Sequence, residues 1–241
     1  MAKRIGFDRM IRIEWLDAIA GNIREQKNID DIRSAMHALL EKEFPQYQAR
    51  RKTITVLLRI WYKVPSEHKD IRNRGLLLLP QVNQNDRIWI HWGMVLLAFP
   101  FFRDIIRILN RCFSFHDSCT PAEIQRKIEE TWGRRTNMKR ALDSVLQSLR
   151  YWNIIGKEKT GENLVPSIQL STKNKDVELW FIEALLLSEE SQSLLLDLIF
   201  RLPAAFPFKI TLEQTDIMNS MRFTIQQLSG NRNEIVMKNG K

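Results

Sequence analysis

Apolar residues recur at three- and four-residue spacing along much of the chain, and the longest regular stripe lies between residues 138 and 152. This spacing is typical of an amphipathic helix that buries one side. We expect this helix to span residues 135–152. Its apolar stripe consists of Met138, Ala141, Leu142, Val145, Leu146, Leu149 and Trp152. Its polar side carries Arg135, Thr136, Asn137, Arg140, Ser144 and Gln147, which have the chemistry to contact phosphates or base edges.

A shorter helix is predicted immediately before this one. Thr120, Pro121 and Glu123 form the pattern of an N-cap, a proline at the first helical position and a capping-box carboxylate. Gly133 supplies a residue that tolerates positive φ and therefore ends the helix after Trp132. A turn of about four residues then separates the two helices.

The hydrophobic period changes after Trp152. Residues 153–165 predict a short β-hairpin with basic residues Lys157 and Lys159 near its tip. Residues 167–171 alternate between polar and apolar side chains, which makes them a candidate third strand of the same sheet.

The order of helix, turn, amphipathic helix and hairpin in residues 120–165 resembles the winged helix-turn-helix family of DNA-binding domains. This resemblance covers about 45 of the 241 residues. It implies that helix 135–152 is a recognition helix in the major groove and that wing 153–165 contacts the DNA backbone. The implied DNA-binding residues are Arg134, Arg135, Thr136, Asn137, Lys139, Arg140, Ser144, Lys157 and Lys159.

The chain is also similar to uncharacterised bacterial helical proteins that contain a winged helix and serve as small subunits in phage-defence or DNA-mobility systems. The similarity rests on residues 90–94, 132–136 and 148–152. It implies an accessory role in a DNA-handling or antiviral defence complex, without catalytic residues.

The N-terminal region predicts further helices over residues 7–20, from Asp30 or Asp31 to residue 40, and over residues 48–61. Residues 50–74 contain eight Lys and Arg against two Asp and Glu. Arg50, Arg51 and Lys52 are therefore candidates for a phosphate clamp beside the recognition helix. A solvated helix face explains the same run of charge.

The apolar segment 88–102 predicts the central buried helix of the N-terminal half, and residues 103–113 predict an amphipathic continuation. His91 lies between two tryptophans in this segment. We expect it to be a hydrogen-bonded core histidine and not a ligand or a catalytic base.

The C-terminal third predicts a linker at residues 172–175, helices over 177–187 and 191–202, a strand at 208–210, a helix over 212–219 and a hairpin of residues 222–227 and 234–238. This order indicates a second, degenerate winged helix. Its short helix 212–219 carries Glu213 and Asp216 without Lys or Arg. Because carboxylates repel phosphates, we expect a protein partner or a homodimer through this C-terminal domain.

These elements together predict a mainly α fold with three domains. They are an all-helical N-terminal domain (residues 1–115), a winged helix-turn-helix (116–171) and a small α+β C-terminal domain (176–241).

The distribution of charge agrees with a nucleic-acid partner. The net charge is +9 and the isoelectric point is about 9.7. Lys and Arg outnumber Asp and Glu by 16 to 10 in residues 1–75 and by 9 to 5 in residues 120–160, whereas residues 161–241 hold 8 against 10. We therefore expect double-stranded DNA to bind the first two regions and not the C-terminal third.

Other classes of function find little support. Two cysteines argue against a disulfide-rich secreted protein, and the longest apolar run is too short to cross a bilayer, so we expect a cytoplasmic protein without membrane attachment. Cys112, His116 and Cys119 have a spacing seen in zinc sites, but no fourth ligand lies near in sequence, and we assign no metal and no cofactor.

No glycine-rich phosphate loop or catalytic signature is present in the sequence, which favours a non-enzymatic role. Two alternatives to DNA binding remain open at this stage. One is a scaffold subunit that uses its winged helices for protein contacts. The other is an RNA-binding protein that uses the basic face of residues 50–74.

Overall fold

The computed structural model describes residues 5–158, 161–228 and 232–238. These ranges contain eleven α-helices and five short strands, which confirms the mainly α fold with a small α+β C-terminal part. The helices are α1 (Ile13–Arg24), α2 (Ile29–Leu40), α3 (Tyr47–Trp61), α4 (Lys69–Leu78), α5 (Gln84–Ala98), α6 (Pro100–Phe115), α7 (Pro121–Trp132), α8 (Met138–Tyr151), α9 (Lys175–Ser188), α10 (Leu196–Ile199) and α11 (Gln214–Met218). The strands are β1 (Ile155–Lys157), β2 (Leu164–Pro166), β3 (Ser193–Leu195), β4 (Phe223–Leu228) and β5 (Arg232–Met237).

Among the described residues, every helix is too short or too polar to span a bilayer.

Helix α5 lies at the centre of the core, as its apolar sequence predicts. Trp92 packs against rings from three other parts of the chain: Phe102 at 5.2 Å, Trp152 at 5.8 Å and Phe208 at 5.2 Å between centroids. One hydrophobic core therefore joins residues from all three predicted domains. The domain boundaries themselves stay a prediction.

Two glycines allow α9 to approach α4 and α5 closely. The indole of Trp180 on α9 lies over Gly75 of α4 and Gly93 of α5, where a Cβ atom would come within 3.0 Å and 2.6 Å of the ring. Its Nε1 donates a hydrogen bond to the carbonyl oxygen of Ile71 at 2.9 Å. The side chain of Trp180 is therefore held by its contacts with α4 and α5 and by the hydrogen bond of its Nε1. It is only 2% exposed.

The apolar run 88–102 is not a single helix, which corrects the sequence prediction. Helix α5 ends at Ala98, and Pro100 begins α6 as its first residue. The reason is local: proline lacks an N–H group and disfavours helical backbone in the residue before it, and Phe99 accordingly adopts φ −136° and ψ 88°.

Two other helix boundaries differ from the predictions. Helix α1 begins at Ile13 instead of residue 7, and it continues through Gly21 to Arg24. Helix α2 is capped by Asn28, whose Oδ1 accepts hydrogen bonds from the N–H groups of Asp30 and Asp31. The capping residue thus lies two or three residues before the predicted Asp30 or Asp31, and its side chain satisfies two free N–H groups of the first turn.

His91 is a hydrogen-bonded core histidine, as predicted. It is 1% exposed, and its Nε2 lies 3.0 Å from Oδ1 of Asp17 on α1. Burial lowers the pKa of His91 and outweighs the opposing effect of the Asp17 carboxylate. Burial raises the pKa of Asp17, but the hydrogen bond from His91 and the nearby Arg87 overcome it, so this pKa is lowered.

The folded state should therefore lose stability as the pH falls below about 6.5, the ordinary pKa of histidine in an unfolded chain. A lowered folded-state pKa means that the unfolded chain binds the proton more readily, and one such group contributes up to about 1.4 kcal/mol per pH unit. Urea denaturation at a series of pH values measures how the free energy of unfolding depends on pH. Below pH 6.5, this free energy should fall less steeply for His91→Gln than for the wild type. An equal pH dependence of the free energy of unfolding in the two proteins would contradict this origin.

Residues 121–166 form two helices and a hairpin in the predicted order. Helices α6, α7 and α8, the bridging residue Cys119 and strands β1 and β2 are called the first unit below. Cys119 pairs antiparallel with Leu164 of β2, and β2 pairs antiparallel with β1, so the pairing order is Cys119, β2, β1. Helix α6 packs on α7 through Trp132, whose Nε1 donates to Oδ2 of Asp104 at 2.9 Å.

The predicted helix 191–202 is wrong for most of its length. Residues 193–195 form strand β3, and only residues 196–199 are α-helical. Ser193, Leu194 and Leu195 pair with Val236, Ile235 and Glu234 of β5. The backbone of this segment is satisfied by a partner about 40 residues away, and helical periodicity carries no information about such pairing.

The C-terminal part, α9 to β5, is called the second unit. Its sheet has the order β3, β5, β4, all antiparallel. Each unit thus has the order helix, strand or bridge, two helices and two strands, and in each the last strand lies between the other two. The predicted strand 167–171 does not form a third strand of the first sheet. Its first residue, Ser167, donates its N–H to the carbonyl of Ile154 at 3.0 Å and so extends the pairing of β1 with β2, whereas Leu170 forms a parallel bridge with Phe208. Outside that bridge, the predicted strand 208–210 is also irregular.

Candidate nucleic-acid interface

The turn between α7 and α8 is fixed by local hydrogen bonds. The Thr120 hydroxyl accepts from the Glu123 N–H at 3.1 Å, and the Glu123 carboxylate accepts from the Thr120 N–H at 2.8 Å, which completes the predicted capping box. At the other end, Gly133 adopts φ 68° and its N–H donates to the carbonyl of Glu129. Helix α7 is therefore bounded at both ends as the sequence predicts.

Helix α8 begins at Met138, three residues later than predicted. Arg134, Arg135, Thr136 and Asn137 lie in the connection before it, and all four are exposed. The Met138 N–H donates to the carbonyl of Arg135 at 3.1 Å, so the connection leads directly into the helix. Polar side chains thus surround the N-terminal end of α8, where backbone N–H groups attract anions.

The buried side of α8 agrees with the predicted stripe, since all seven of its apolar residues are buried. Polar atoms add to this packing. The Ser148 hydroxyl accepts from the N–H of Ile11 at 2.9 Å, and Trp152 Nε1 donates to the carbonyl of Ile11 at 3.0 Å. The N-terminal segment therefore holds the C-terminal end of α8 in place.

Ser144 does not belong to the exposed side, which corrects the prediction. It is 8% exposed, and its hydroxyl donates to the carbonyl of Arg140 one turn earlier, at 2.9 Å. Ser144 is buried because the face of α8 that packs on the core is wider than its apolar stripe. Lys139 and Arg140, by contrast, are exposed as predicted.

Three of the predicted basic residues contact carboxylates on the same surface. Arg134 pairs with Glu129 at 3.1 Å, Lys139 with Asp143 at 3.7 Å and Lys157 with Glu162 at 2.8 Å. The basic side chains are between 44% and 91% exposed. Exposed pairs of this kind contribute about 0–1 kcal/mol each, so a phosphate can replace the carboxylate at small cost.

Arg135 is oriented by the end of α7. Its Nε donates to the carbonyl of Trp132 at 3.2 Å, and its guanidinium carbon lies 5.8 Å from the Trp132 ring centroid. Arg140, one helical turn into α8, makes no ion pair within the described part of the chain. The guanidinium of Arg135 is therefore held in one orientation by α7, whereas that of Arg140 is not held by an ion pair among the described residues.

The wing is a short two-stranded hairpin with the register Ile155 to Pro166, Gly156 to Val165 and Lys157 to Leu164. Its second strand is tied to the start of α7 by two hydrogen bonds, in which Cys119 and Leu164 exchange N–H and carbonyl groups at 3.0 Å and 2.7 Å. Lys157 is exposed at its end. Lys159, the other predicted wing residue, lies outside the described residues.

The predicted phosphate clamp divides into two parts. Arg50 is structural: its side chain is 12% exposed, and its Nη1 donates to the carbonyls of Phe44 and Pro45, both at 2.9 Å. Its position caps the loop that precedes α3. Arg51 and Lys52 are exposed.

The region before α3 is connected to the C-terminal end of α8. The guanidinium of Arg12 stacks 4.6 Å from the ring centroid of Tyr151, the last residue of α8, and also pairs with Glu43 shortly before α3. The assignment of Arg51 and Lys52 to a phosphate clamp beside the recognition helix stays a prediction, whereas Arg50 is held by the loop before α3.

The C-x3-H-x2-C spacing does not produce a metal cluster among the described residues. Cys112 and Cys119 are buried free thiols, whereas His116 is exposed. Burial, followed by the neighbouring Cys112, raises the pKa of Cys119 to about 12. Both thiols belong to the packing between α6 and the start of α7, where Lys127 Nζ lies 3.6 Å from Cys112 Sγ.

Sequence reasoning missed the carboxylates of the interface. Glu129, Asp143 and Glu162 each contact one of the predicted basic residues. The four-residue spacing of Lys139 and Asp143 on one helix could have indicated that pair. The other two pairs depend on how the turn and the hairpin fold back.

Comparison of the chain with protein-family models, with curated protein sequences and with solved structures finds no match.

Proposed function

We propose that this protein is a non-enzymatic DNA-binding accessory protein whose first unit acts as a winged helix. The N-terminal end of α8 enters the major groove of double-stranded DNA, and β1 and β2 lie along the backbone. The observation that carries this proposal is the exposed group formed by Arg134, Arg135, Thr136, Asn137, Lys139 and Arg140 at one end of a rigidly packed helix.

The chemistry of this group suits a duplex. Arg135 and Arg140 can donate two parallel hydrogen bonds to a guanine edge or to a phosphate, and Asn137 can pair with adenine. Lys139 and Lys157 are point charges for backbone phosphates. The wing is tied to the start of α7 through Cys119 and Leu164, and β1 follows α8 after three residues, so the wing and the recognition helix can contact the same duplex.

The proposal also assigns the protein to a larger bacterial DNA-handling or defence complex in the cytoplasm. The free thiols support the cytoplasmic location. The charge difference between the basic first 160 residues and the slightly acidic remainder supports a role in a complex. In the second unit, Glu213 immediately precedes the short helix α11 and Asp216 lies on it. With these acidic residues, the second unit would contact protein instead of DNA.

Duplex binding should depend steeply on salt, and Arg135→Ala/Arg140→Ala should weaken it. If both residues contact phosphates, the slope of log affinity against log salt should fall by about 0.9 for each lost contact. Fluorescence anisotropy with a labelled duplex over a series of salt concentrations measures both quantities. Arg33→Ala/Lys42→Ala is a matched control, because it removes two exposed positive charges from the α2 region.

Equal weakening by the two double variants would show that net charge alone drives binding and would contradict the assigned surface. Absence of duplex binding at low salt would favour the scaffold alternative, in which the first unit contacts a protein. Single-stranded DNA and RNA measured at the same salt concentration test the remaining alternative, since a preference for RNA would favour the basic face of residues 50–74.

A further inference from the structure

Among the residues that the structure describes, β4 is an edge strand whose sequence lacks the usual protection against pairing. It lies at the end of the order β3, β5, β4, so one side of its backbone faces away from the sheet. Its pairing with β5 runs without a bulge from Phe223 to Leu228. Natural edge strands are commonly shortened, bulged or charged to prevent association, and β4 has none of these features.

The composition of β4 is unusual for this chain. Its sequence is Phe-Thr-Ile-Gln-Gln-Leu, with no charged residue and no proline, although 27% of the whole chain is charged. Thr224 and Gln226 are exposed on one face, while Phe223 is fully buried on the other. Two copies of such a strand can approach each other without repulsion between like charges.

The strand is also anchored at its first end. Arg222, immediately before it, donates from Nη2 to Glu183 of α9 at 2.6 Å and forms an ion pair with Asp70 of α4 at 3.1 Å. The Lys238 N–H donates to the carbonyl of Arg222 at 2.8 Å. A partner strand would therefore bind a preformed edge and lose little conformational entropy in doing so.

We propose that β4 pairs antiparallel with β4 of a second copy of this protein about a two-fold axis at Ile225. In antiparallel strands, the side chains of directly opposite residues lie on the same face of the sheet. A two-fold axis perpendicular to the sheet therefore lies midway between one residue and the same residue of the second copy. Centring it on Ile225 places Thr224 opposite Gln226 of the second copy, and Ile225 opposite its equivalent. The two three-stranded sheets become one sheet of six strands.

A second copy suits this edge better than a charged partner. The contact is isologous, so each copy uses its β4 edge once and the assembly closes at two protomers. Side-chain pairs in the register are Ile225 with Ile225 and Thr224 with Gln226, which are apolar or neutral polar pairs. This inference does not depend on the proposed DNA binding, although it specifies a surface for the homodimer expected through the C-terminal domain.

Sedimentation velocity of the full chain over a wide concentration range tests the proposal. We expect a reversible equilibrium between one and two protomers. Thr224→Lys/Gln226→Lys places ammonium groups opposite each other across the two-fold axis and should raise the dimer dissociation constant at least about tenfold. Gln214→Lys/Thr215→Lys, which changes the same residue types at exposed positions of α11, should leave dimerisation unchanged.

A rescue variant tests the register itself. Thr224→Lys/Gln226→Glu places opposite charges across the same axis and should restore the dimer that the two lysine substitutions weaken. Circular dichroism and urea denaturation check that all variants fold. A monomer at every concentration, assemblies larger than two protomers, or a dimer equally affected by the α11 control would each overturn the proposal.

Discussion

Gly93→Ala is expected to destabilise the protein by about 1–3 kcal/mol, the usual cost of forcing an extra methyl group into a packed core. Helix propensity alone predicts the opposite, since alanine is about 0.5–1 kcal/mol more favourable than glycine within a helix. Tertiary packing should decide the sign, because the added Cβ would lie 2.6 Å from the Trp180 ring and 2.9 Å from the Ala184 Cβ.

The surrounding structure offers little room for relaxation. The Trp180 ring cannot move away from α5 without approaching Gly75, where a Cβ would already lie 3.0 Å from the indole. Its hydrogen bond to the carbonyl of Ile71 also fixes the ring within its plane. The methyl group would therefore separate α5 from α9 or distort both helices.

Gly21→Ala is the matched control. Gly21 also lies within a helix, but no described heavy atom beyond its two neighbours and the nearby backbone of its own helix lies within 4 Å of the position that its Cβ would occupy. This substitution should stabilise the protein by about 0.5–1 kcal/mol. Urea denaturation measures both free energies of unfolding. Stabilisation by both alanines would mean that α5 and α9 do not pack as closely as the structure places them.

Glu183→Gln is expected to cost about 2–4 kcal/mol of stability. Its side chain is 4% exposed and accepts hydrogen bonds from Arg74 and Arg222, each at 2.6 Å. Removal of one partner from a fully buried ion pair costs about 3–5 kcal/mol. The two guanidiniums are 27% and 33% exposed, so water can solvate them in part and lower the cost.

The position of Glu183 explains why the effect should be global. Its carboxylate joins α4, α9 and the residue before β4, which lie far apart in sequence. The Glu183 hydrogen bond is also the main reason that the pKa of Arg222 is raised. Loss of the negative charge leaves the guanidiniums of Arg74 and Arg222 with Asp70 as the one carboxylate among the described residues that both still contact.

Glu130→Gln tests whether loss of a carboxylate alone is responsible. Glu130 pairs with Arg126 at 3.2 Å, but both side chains are more than 60% exposed. This control should change the free energy of unfolding by no more than about 0.5 kcal/mol. A similarly small change for Glu183→Gln would show that the buried cluster contributes little to joining α4, α9 and β4.

The sequence predicts those parts of the candidate interface that depend on interactions between residues close together in the chain. Thr120, Pro121, Glu123 and Gly133 define α7 because their interactions reach no further than one turn of helix. The same holds for the apolar stripe of α8, which is amphipathic in any environment that buries one side. These features predict a polar group at the start of α8, and the structure exposes all of its members: Arg134, Arg135, Thr136, Asn137, Lys139 and Arg140.

The mistaken predictions concern residues whose surroundings are not indicated by helical periodicity or by charge. Ser144 has the polarity of a surface residue, yet the packing of α8 buries it. Arg50 belongs to a run of basic residues, yet the loop before α3 takes its guanidinium as a hydrogen-bond donor. Polarity and charge do not by themselves indicate which partner a side chain will meet.

The sequence by itself determined the helical character of the protein, the limits of α7, the buried side of α8 and the concentration of basic charge outside the C-terminal third. These properties follow from the spacing of residues within one or two helical turns. Only the tertiary structure decided that residues 193–195 form a strand, that Gly75 and Gly93 receive Trp180, and that β4 is left at an open edge. Each of these depends on contacts between segments far apart in sequence, which local propensity and periodicity do not encode.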